Sequence, residues 1–509
     1  MRTKKIALNM ISDIVPYLLI GIVGLVKVNY LINYLGDANN GYYQFINQVI
    51  SYVFLAQVGF SEAVIYSLYK PFADKNMDDV NRIYSGARYI FRKIGLIIFG
   101  IIVLVSIGLY IYYKDVSDVL SITLCFFIIA SSYLIAYFGK TQTYTAVLSA
   151  NQERYVYANV LNSMKLLCDV LTILVIVWFR SLVSIAILIL IIKIIEEVVM
   201  RIVVKKRYSF LHEVSNKDTS MIKMTKDLAW LQVGTVVLNN VDAVLIMYFL
   251  GPVWVSIYTS YNFILRYLNE ISSRVSYATV NSFGNVFASH EDDRAYPLFK
   301  ELQALFVLLS ITMPLTFMIG IRTFVNYWIG DSNYILSYFT VILFSLTSFF
   351  YMLCLPLVSI INSNGMYKNT KNHILVSAGI NIVLSIILCI FMKIDGLLLA
   401  TSISFVVNII LKCNLISKKI FKNISFWRLI SDYVLVTLVF LGVSYLFKYV
   451  EVFIFNSVSS LFMSVVVLGI VFIMLFVLLF LVMYLFNDST KDICKRIINL
   501  FKKGNKVRV

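Results

Sequence analysis

The sequence predicts an all-α polytopic membrane protein with about 14 transmembrane helices, built as two six-helix lobes followed by a C-terminal helix pair. Its composition gives the first reason, because 60% of its 509 residues are hydrophobic and only 14% are charged. Soluble domains contain about 25% charged residues, so this chain has too few polar side chains to cover a water-exposed globule of its length. The apolar segments and the placement of the basic residues give the second and third reasons.

Fourteen apolar segments are long enough to cross a bilayer, which takes about 20 residues in a helix. They comprise residues 11–34, 42–69, 87–111, 119–148, 155–179, 182–203, 227–250, 253–288, 298–321, 334–361, 372–392, 396–417, 426–447 and 453–486. Predicted helices 1, 9 and 10 contain Pro16, Pro314 and Pro356, and a proline removes a backbone hydrogen bond from a helix. We therefore expect kinks at these prolines, either as hinges or as fixed features of the packing.

The basic residues lie mainly on one side of this predicted arrangement of helices. The termini and every second connection, counted with the helix ends that adjoin them, contain 32 of the 44 lysines and arginines, whereas the remaining connections contain five. This bias follows the positive-inside rule and predicts that both termini are cytoplasmic. The net charge of +17 is then a consequence of topology, and we expect no nucleic-acid partner.

The connections between the predicted helices are too short to hold a catalytic or nucleotide-binding domain. The longest one, residues 204–226, is basic and predicted to be cytoplasmic. Gly139-Lys140-Thr141 matches the end of a phosphate-binding loop, but Leu134 stands where that loop needs an earlier glycine, inside a predicted helix. The three histidines are scattered and predict no metal site. These observations favour a transporter without a cofactor over an enzyme.

Two similarities within the chain predict an internal repeat. Tyr34-Leu35-Gly36 ends helix 1 and Phe249-Leu250-Gly251 ends helix 7, and the polar elbow at 149–155 resembles that at 361–367. Because each copy has an even number of helices, both have the same orientation in the membrane. The predicted division is an N-lobe at 1–215 with helices 1–6, a C-lobe at 216–422 with helices 7–12, and helices 13–14 with a basic cytoplasmic tail at 423–509.

Several short motifs resemble those of the Wzx-type flippases of lipid-linked oligosaccharides. Leu35-Gly36, Gly41-Tyr42-Tyr43-Gln44 and the segment 57–64 look like the helix 1–2 region of these proteins, and segments 379–385 and 395–401 are similar to their helix 11–12 signature. The resemblance extends over residues 1–422. These flippases belong to the multidrug/oligosaccharidyl-lipid/polysaccharide exporter superfamily. The two helices beyond residue 422 resemble the additional pair of its lipid II flippase branch.

This resemblance implies a V-shaped, pseudo-twofold pair of six-helix lobes around a central cavity, which opens alternately to the two sides of the bacterial inner (cytoplasmic) membrane. The implied cargo is a polyprenyl-diphosphate-linked oligosaccharide, flipped from the inner to the outer leaflet for the export of capsule or O-antigen-type polysaccharide. We expect a monomer whose partners are this lipid-linked oligosaccharide, membrane lipids and the glycan polymerase machinery. The alternative function is a cation-coupled small-molecule (multidrug) exporter of the same superfamily.

Charged residues deep in the predicted helices are candidates for the binding site, because each one costs about 2.5–3.5 kcal/mol at the bilayer centre. On helix 8, Arg266, Glu270 and Arg274 follow one another at intervals of four and therefore share one helical face. The others are Lys27 on helix 1, Glu62 on helix 2, Lys165 and Asp169 on helix 5, and Asp242 on helix 7, the repeat counterpart of Lys27.

These charges allow a functional and a structural interpretation. In the functional one, the cavity has three cations that bind the diphosphate and four acids that line it or bind a coupling Na⁺ or H⁺. The cations are Lys27, Arg266 and Arg274, and the acids are Asp242, Glu62, Glu270 and Asp169. In the structural one, ion pairs form between Lys165 and Asp169, Arg266 and Glu270, and Lys27 and Asp242.

A last group of charges lies near the inner end of predicted helix 6, at Lys193, Glu196 and Glu197. Long charged side chains at a helix end can extend to the headgroup region while their aliphatic parts stay in the membrane. We therefore expect these three residues to have the structural role, in ion pairs near the inner membrane surface to which their side chains can extend.

Overall fold

The computed structural model describes residues 2–288 and 292–495, and all of its regular elements are helices. This confirms the predicted all-α class. The chain forms two compact units, Met1–Ser256 and Ile257–Val509. The boundary between them falls inside a helix, and the lobe division predicted from the repeat, at 215 and 422, stays a prediction.

The first unit contains nine helices and the start of a tenth. They are α1 (Arg2–Tyr30), α2 (Asp37–Val53), α3 (Val58–Ala73), α4 (Met77–Tyr112), α5 (Val119–Phe138), α6 (Thr141–Ala150), α7 (Arg154–Phe179), α8 (Leu182–Arg207) and α9 (Thr225–Phe249). Helix α1 packs against α7, α5 lies between α4 and α8, and α9 contacts α2 and α3. A π-helical turn at Leu31–Leu35 extends α1, and short 3₁₀ turns lie at Phe54–Gln57 and Ser220–Met224.

The second unit contains most of α10 (Pro252–Ala288) and the six helices that follow. These are α11 (Asp292–Ile329), α12 (Tyr338–Ser363), α13 (Tyr367–Lys419), α14 (Phe426–Leu446), α15 (Lys448–Ser457) and α16 (Leu461–Phe486), with a 3₁₀ turn at Ser332–Tyr334. Helix α12 packs between α11 and α13, and α16 packs against α11.

Nine helices within the described ranges are long and apolar enough to cross a membrane. Each of the fourteen predicted segments lies on one or more helices. Helix α13 includes two of them, 372–392 and 396–417, and the chain bends between them at Lys393, where φ is 51° and ψ is −130°. Three segments predicted as single helices are broken, and one of them, 453–486, is divided between α15 and α16. Segment 42–69 is interrupted by the 3₁₀ turn at Phe54–Gln57, and segment 119–148 is divided between α5 and α6.

The three membrane prolines do not end a helix. Pro16, Pro314 and Pro356 lie inside the continuous helices α1, α11 and α12. The interruptions of the helices occur elsewhere, at Gly139-Lys140 and at Lys393. Proline position therefore does not predict where these helices are divided.

The backbone carries the signature of the internal repeat. Gly36 and Gly251, which end the two matching motifs, both adopt positive φ, at 85° and 88°. Gln152 and Gly365 also both adopt positive φ, and so do Arg180 and Lys393; each of these two pairs is 213 residues apart. Left-handed backbone is uncommon outside glycine, so its recurrence at matching chain positions supports the repeat. The predicted match of 149–155 with 361–367 pairs Gln152 with Asn364, whereas the positive φ angles pair Gln152 with Gly365, one position later.

The C-terminal helices are attached to the second unit by ion pairs and close packing. Lys300 on α11 pairs with Asp432 on α14, and Arg322 on α11 pairs with Glu451 on α15 at 2.9 Å. A Cβ atom added to Gly320 would collide with the Leu468 side chain of α16. Helices α14, α15 and α16 are therefore each joined to α11.

Candidate functional site

Helix α10 presents the predicted charged stripe to the outside of its unit. Arg266 is exposed, Glu270 and Arg274 are partly exposed, and Arg274 pairs with Glu270 at 3.2 Å. Tyr277 extends the same face and is 68% exposed. The predicted pair of Arg266 with Glu270 is therefore replaced by a pair with Arg274. No side chain that the structure describes pairs with Arg266.

A neighbouring face of α10 holds the helix against α12 through hydrogen bonds. Three contacts repeat along the interface, Asn269 with Ser348 at 2.6 Å, Ser273 with Tyr351 at 2.7 Å and Ser276 with Ser359 at 2.6 Å. These contacts fix the rotation of α10 about its axis. The stripe consequently lies beside this interface, where Tyr351 of α12 interacts electrostatically with Glu270. Its ionised groups require water or an anionic partner, because hydrocarbon cannot solvate them.

In the first unit, one buried carboxylate holds two ammonium groups. Lys27 Nζ on α1 lies 2.5 Å from Asp169 Oδ1 on α7, and Lys165 Nζ lies 3.4 Å from Asp169 Oδ2. Asp169 is 5% exposed, so this cluster joins α1 to α7 inside the unit. The predicted Lys165–Asp169 pair is confirmed, whereas Lys27 pairs with Asp169 and not with Asp242.

The other two acidic candidates have different surroundings. Asp242 is buried on α9 and interacts electrostatically with Tyr52 of α2. Glu62 is exposed on α3, together with Tyr66 and Tyr69, whose ring centroids are 6.3 Å apart. Sequence reasoning missed this aromatic pair, although its spacing from Glu62 by four and seven positions places all three on one helical face.

The structure thus divides the predicted site residues into two sets. The stripe of Arg266, Glu270 and Arg274 belongs to the second unit, and Lys27 with Asp169 belongs to the first. Chemically, the stripe offers two planar guanidinium groups, which suit phosphate oxygens. The cluster of Lys27, Lys165 and Asp169 has the same excess of one positive charge, but its carboxylate is buried and joins α1 to α7, so it is suited to holding helices together.

The charges near the inner end of predicted helix 6 form ion pairs, Lys193 with Glu196 at 2.9 Å and Arg201 with Glu197 at 2.6 Å. The two acids do not extend to the surface, because Glu196 and Glu197 are each 5% exposed. The Glu197 carboxylate accepts hydrogen bonds from the Lys140 and Thr141 backbone N–H groups at 2.7 and 3.1 Å, and from the Thr141 hydroxyl at 2.6 Å. Arg201 Nε donates to it at 2.6 Å. Glu197 therefore caps the first turn of α6 from a different helix, a long-range contact that no local pattern announces.

Lys412 is a second buried charge that the sequence analysis did not select. It is 3% exposed, and its Nζ donates to Asn408 Oδ1 at 2.7 Å and to Cys354 Sγ at 3.4 Å. Its position in the apolar segment 396–417 could have identified it from the sequence as a charge inside a membrane helix. A lysine so deep in a predicted membrane helix requires an acceptor.

Comparisons with known proteins agree on the fold. No protein-family model matches the sequence, and no curated protein matches it. A solved structure of the lipid II flippase MurJ, in an inward closed conformation, matches with a TM-score of 0.69 at 13% identity, over 92% of this chain and 98% of that one. The chain has the fold of the MOP-superfamily transporters.

Two MATE transporters support the same assignment of the fold. An inward-facing MATE family transporter of the MOP superfamily matches with a TM-score of 0.66 at 10% identity, over 81% of this chain and 98% of that one. The Vibrio cholerae MATE transporter VcmN, in its bent form, matches with a TM-score of 0.55 at 12% identity, over 87% of this chain and 98% of that one. The proteins that share the MOP fold with this chain in these comparisons are transporters and a flippase.

Proposed function

We propose that the protein is a flippase that moves a polyprenyl-diphosphate-linked oligosaccharide from the inner to the outer leaflet of a bacterial cytoplasmic membrane by alternating access. The exposed stripe on α10 carries this proposal. Arg266 and Arg274 supply two cations and Glu270 one anion, so the stripe has a net positive charge. A diphosphate cannot cross hydrocarbon without a replacement for its water, and guanidinium groups supply charge-assisted hydrogen bonds.

The extent of the MurJ likeness supports a lipid-linked cargo. The MurJ match covers 92% of this chain, which is more than residues 1–422 can supply, so it reaches into the C-terminal helices. The two MATE structures cover less of it, 81% and 87%. Attachment of α14 and α15 to α11 through ion pairs makes these helices an integral part of the transporter in this proposal.

Exposed tyrosines provide surfaces for the sugars. Tyr66 and Tyr69 on α3 and Tyr277 on α10 are 63%, 50% and 68% exposed. An aromatic ring offers an apolar face for a sugar ring, and its hydroxyl can exchange hydrogen bonds with sugar hydroxyls. In this proposal Arg266 and Arg274 bind the diphosphate, and Tyr277, which extends the same face of α10, contacts the glycan.

Transport in proteoliposomes tests the proposal. We expect the purified protein to translocate a fluorescent polyprenyl-diphosphate oligosaccharide, and the paired substitution Arg266→Gln with Arg274→Gln to reduce the rate at least about tenfold, since a charged hydrogen bond contributes about 1.5–3 kcal/mol. Lys448→Gln, at an exposed cation on α15, is the matched control and should transport normally. Transport of a cationic dye without any movement of the glycan lipid would overturn the proposal.

The alternative is a cation-coupled multidrug exporter, which the MATE likeness and the buried carboxylate of Asp242 favour. Asp169 is less suited to coupling, because it already holds the two ammonium groups of Lys27 and Lys165. For this alternative we expect Asp242→Asn to abolish the dependence of dye transport on the sodium or proton gradient. Unchanged gradient dependence would remove Asp242 from the coupling mechanism.

A further inference from the structure

A groove of about 430 Å³ lies on the first unit between α4, α5 and α8. Its wall is apolar and is formed by Phe99, Leu134, Ile135 and Phe138, while Arg201 lies at one end. Phe99 and Phe138 are 42% and 40% exposed, so the groove opens to the surroundings of the unit. Its size is within the range of small-molecule sites.

The end of the groove at Arg201 has an excess of positive charge. The Arg201 side chain is 51% exposed and gives only its Nε to Glu197, which leaves the terminal guanidinium nitrogens directed elsewhere. Lys140 interacts electrostatically with Arg201, Arg92 and Arg88. Of these four cations, Arg88 is paired with Glu213 at 2.8 Å, and Glu213 also interacts electrostatically with Lys140. The four cations therefore face two carboxylates, Glu197 and Glu213.

The charged end and the apolar wall are arranged along the helices in the manner of a lipid. Arg92 precedes Phe99 by seven positions on α4, which is two turns and about 10 Å along the axis on one face. Arg201 lies near the end of α8, whose last turn contains Lys205, Lys206 and Arg207. The positive-inside rule predicts that this end is cytoplasmic. An inner-leaflet lipid would therefore place its headgroup at the cations and its acyl chain along the phenylalanines.

We propose that this groove is a binding site for an anionic phospholipid of the inner leaflet, independent of the transported cargo. The phosphate accepts hydrogen bonds from Arg201 and attracts Lys140 and Arg92, and one acyl chain lies in the apolar groove. The site adjoins the break between α5 and α6, where Glu197 caps α6. A lipid bound to Arg201 would hold α8 in the position in which Glu197 reaches α6, so it should stabilise the first unit.

Native mass spectrometry of the full-length protein tests this site, with added phosphatidylglycerol or phosphatidylcholine as the probes. We expect the protein to retain phosphatidylglycerol preferentially and to melt at a higher temperature in its presence. Each of the substitutions Arg92→Gln and Lys140→Gln should weaken retention about fivefold, because a cation near an anionic lipid surface contributes about 1 kcal/mol. Arg180→Gln changes a cation that lies outside the groove, at the C-terminal end of α7, and is the matched control.

The apolar part of the site has its own variant. Ser131 lies in the groove, and Ser131→Leu should fill it and weaken retention of phosphatidylglycerol while leaving the cations in place. Glycerol 3-phosphate, which has the headgroup charge without acyl chains, should not compete. Equal retention of the two lipids, or unchanged retention in both Arg92→Gln and Lys140→Gln, would overturn the proposal, and competition by glycerol 3-phosphate would replace it with a soluble anion site.

Discussion

At the scale of single residues, the buried charges of the first unit show how a membrane protein can place ionised groups at low dielectric. The Asp169 carboxylate lies between Lys27 and Lys165, so each of its oxygens accepts from one ammonium group. Lys27 is 14% exposed at its side chain, whereas Lys165 is 58% exposed. Removing the carboxylate therefore affects mainly Lys27, because Lys165 can turn toward the polar surroundings.

We expect Asp169→Asn to lower the free energy of unfolding by about 3–5 kcal/mol, the usual effect of leaving one partner of a buried ion pair alone. The paired change Lys27→Met with Asp169→Asn should restore much of the loss. Thermal unfolding of the purified variants measures both effects, and Glu62→Gln on the exposed face of α3 is the control. If the double variant were as unstable as Asp169→Asn, the Lys27–Asp169 contact would not be the source of the loss.

The sequence predicted which residues of these clusters are charged and membrane-embedded but not most of their partners. Helical periodicity relates positions three and four apart, and it correctly indicated the Lys165–Asp169 pair. It also placed Arg266, Glu270 and Arg274 on one face but did not distinguish which arginine pairs with Glu270. The Lys27–Asp169 contact joins distant parts of the chain. It depends on which helices pack together, and a single sequence does not give that information.

At the scale of helices, the break between α5 and α6 is held open by a close approach. A Cβ atom at Gly139 would collide with the Glu197 side-chain carbon Cδ and would lie 2.5 Å from both of its oxygens. Glycine is thus required at this position so that Glu197 can reach the first N–H groups of α6, which have no partner within their own helix.

We expect Gly139→Ala to displace the Glu197 carboxylate and to lower the free energy of unfolding by about 1–3 kcal/mol, because buried N–H groups lose their acceptor. Gly100→Ala on α4 is the matched control, since a Cβ atom there meets nothing within 4 Å, and it should cause no loss. Denaturation midpoints of the two variants give the comparison. Equal stability of Gly139→Ala and the unmodified protein would show that Glu197 does not depend on this approach.

The attachment of α15 to α11 leads to a pH-dependent prediction. Glu451 is 0% exposed; burial raises the pKa of its carboxyl group, and the Arg322 guanidinium opposes that rise. Arg322→Gln removes the opposing charge, so the folded-state pKa of Glu451 should rise further. A raised folded-state pKa means that stability is present at low pH and is lost as the pH increases through that value.

We therefore expect Arg322→Gln to be clearly less stable than the unmodified protein at neutral pH, by about 3–5 kcal/mol, and the difference to shrink as the pH falls and Glu451 is protonated. Glu451→Gln should lose less at neutral pH and should show no such recovery, because it removes the titrating group. Melting temperatures across the acid range measure both variants. A deficit of Arg322→Gln that is constant with pH would contradict the role of the Glu451 charge.

The sequence predicted the positions of the helices better than it predicted the breaks within them. Apolar length located all fourteen segments, since burial in lipid demands that length whatever the packing. The breaks at Phe54–Gln57 and Gly139-Lys140 were missed, because their sequences remain apolar enough for a continuous helix and a distant carboxylate stabilises one of them. The three prolines do not divide their helices, as neighbouring helices and side chains can satisfy the group that a proline leaves unpaired, and the expected kinks at them stay a prediction.

At the scale of the whole molecule, the repeat and the transporter fold agree. Positive φ angles recur at corresponding positions of the two predicted copies, and the MOP-superfamily structures match at identities of 10% to 13%. The fold thus follows from hydrophobic patterning that tolerates almost complete replacement of the sequence. The proposed cargo does not follow from it, because MurJ and the MATE transporters share this fold, and in our proposal the exposed side chains of α10 distinguish between them.

The most direct test of the proposed function is the affinity of the detergent-purified protein for a polyprenyl-diphosphate oligosaccharide, measured for the unmodified chain and for Arg266→Gln and Arg274→Gln. We expect each substitution to weaken binding at least about tenfold, and the corresponding monophosphate lipid to bind more weakly than the diphosphate. Lys448→Gln should bind as the unmodified protein does. Unchanged affinity in both folded arginine variants would contradict the assignment of the α10 stripe as the diphosphate site.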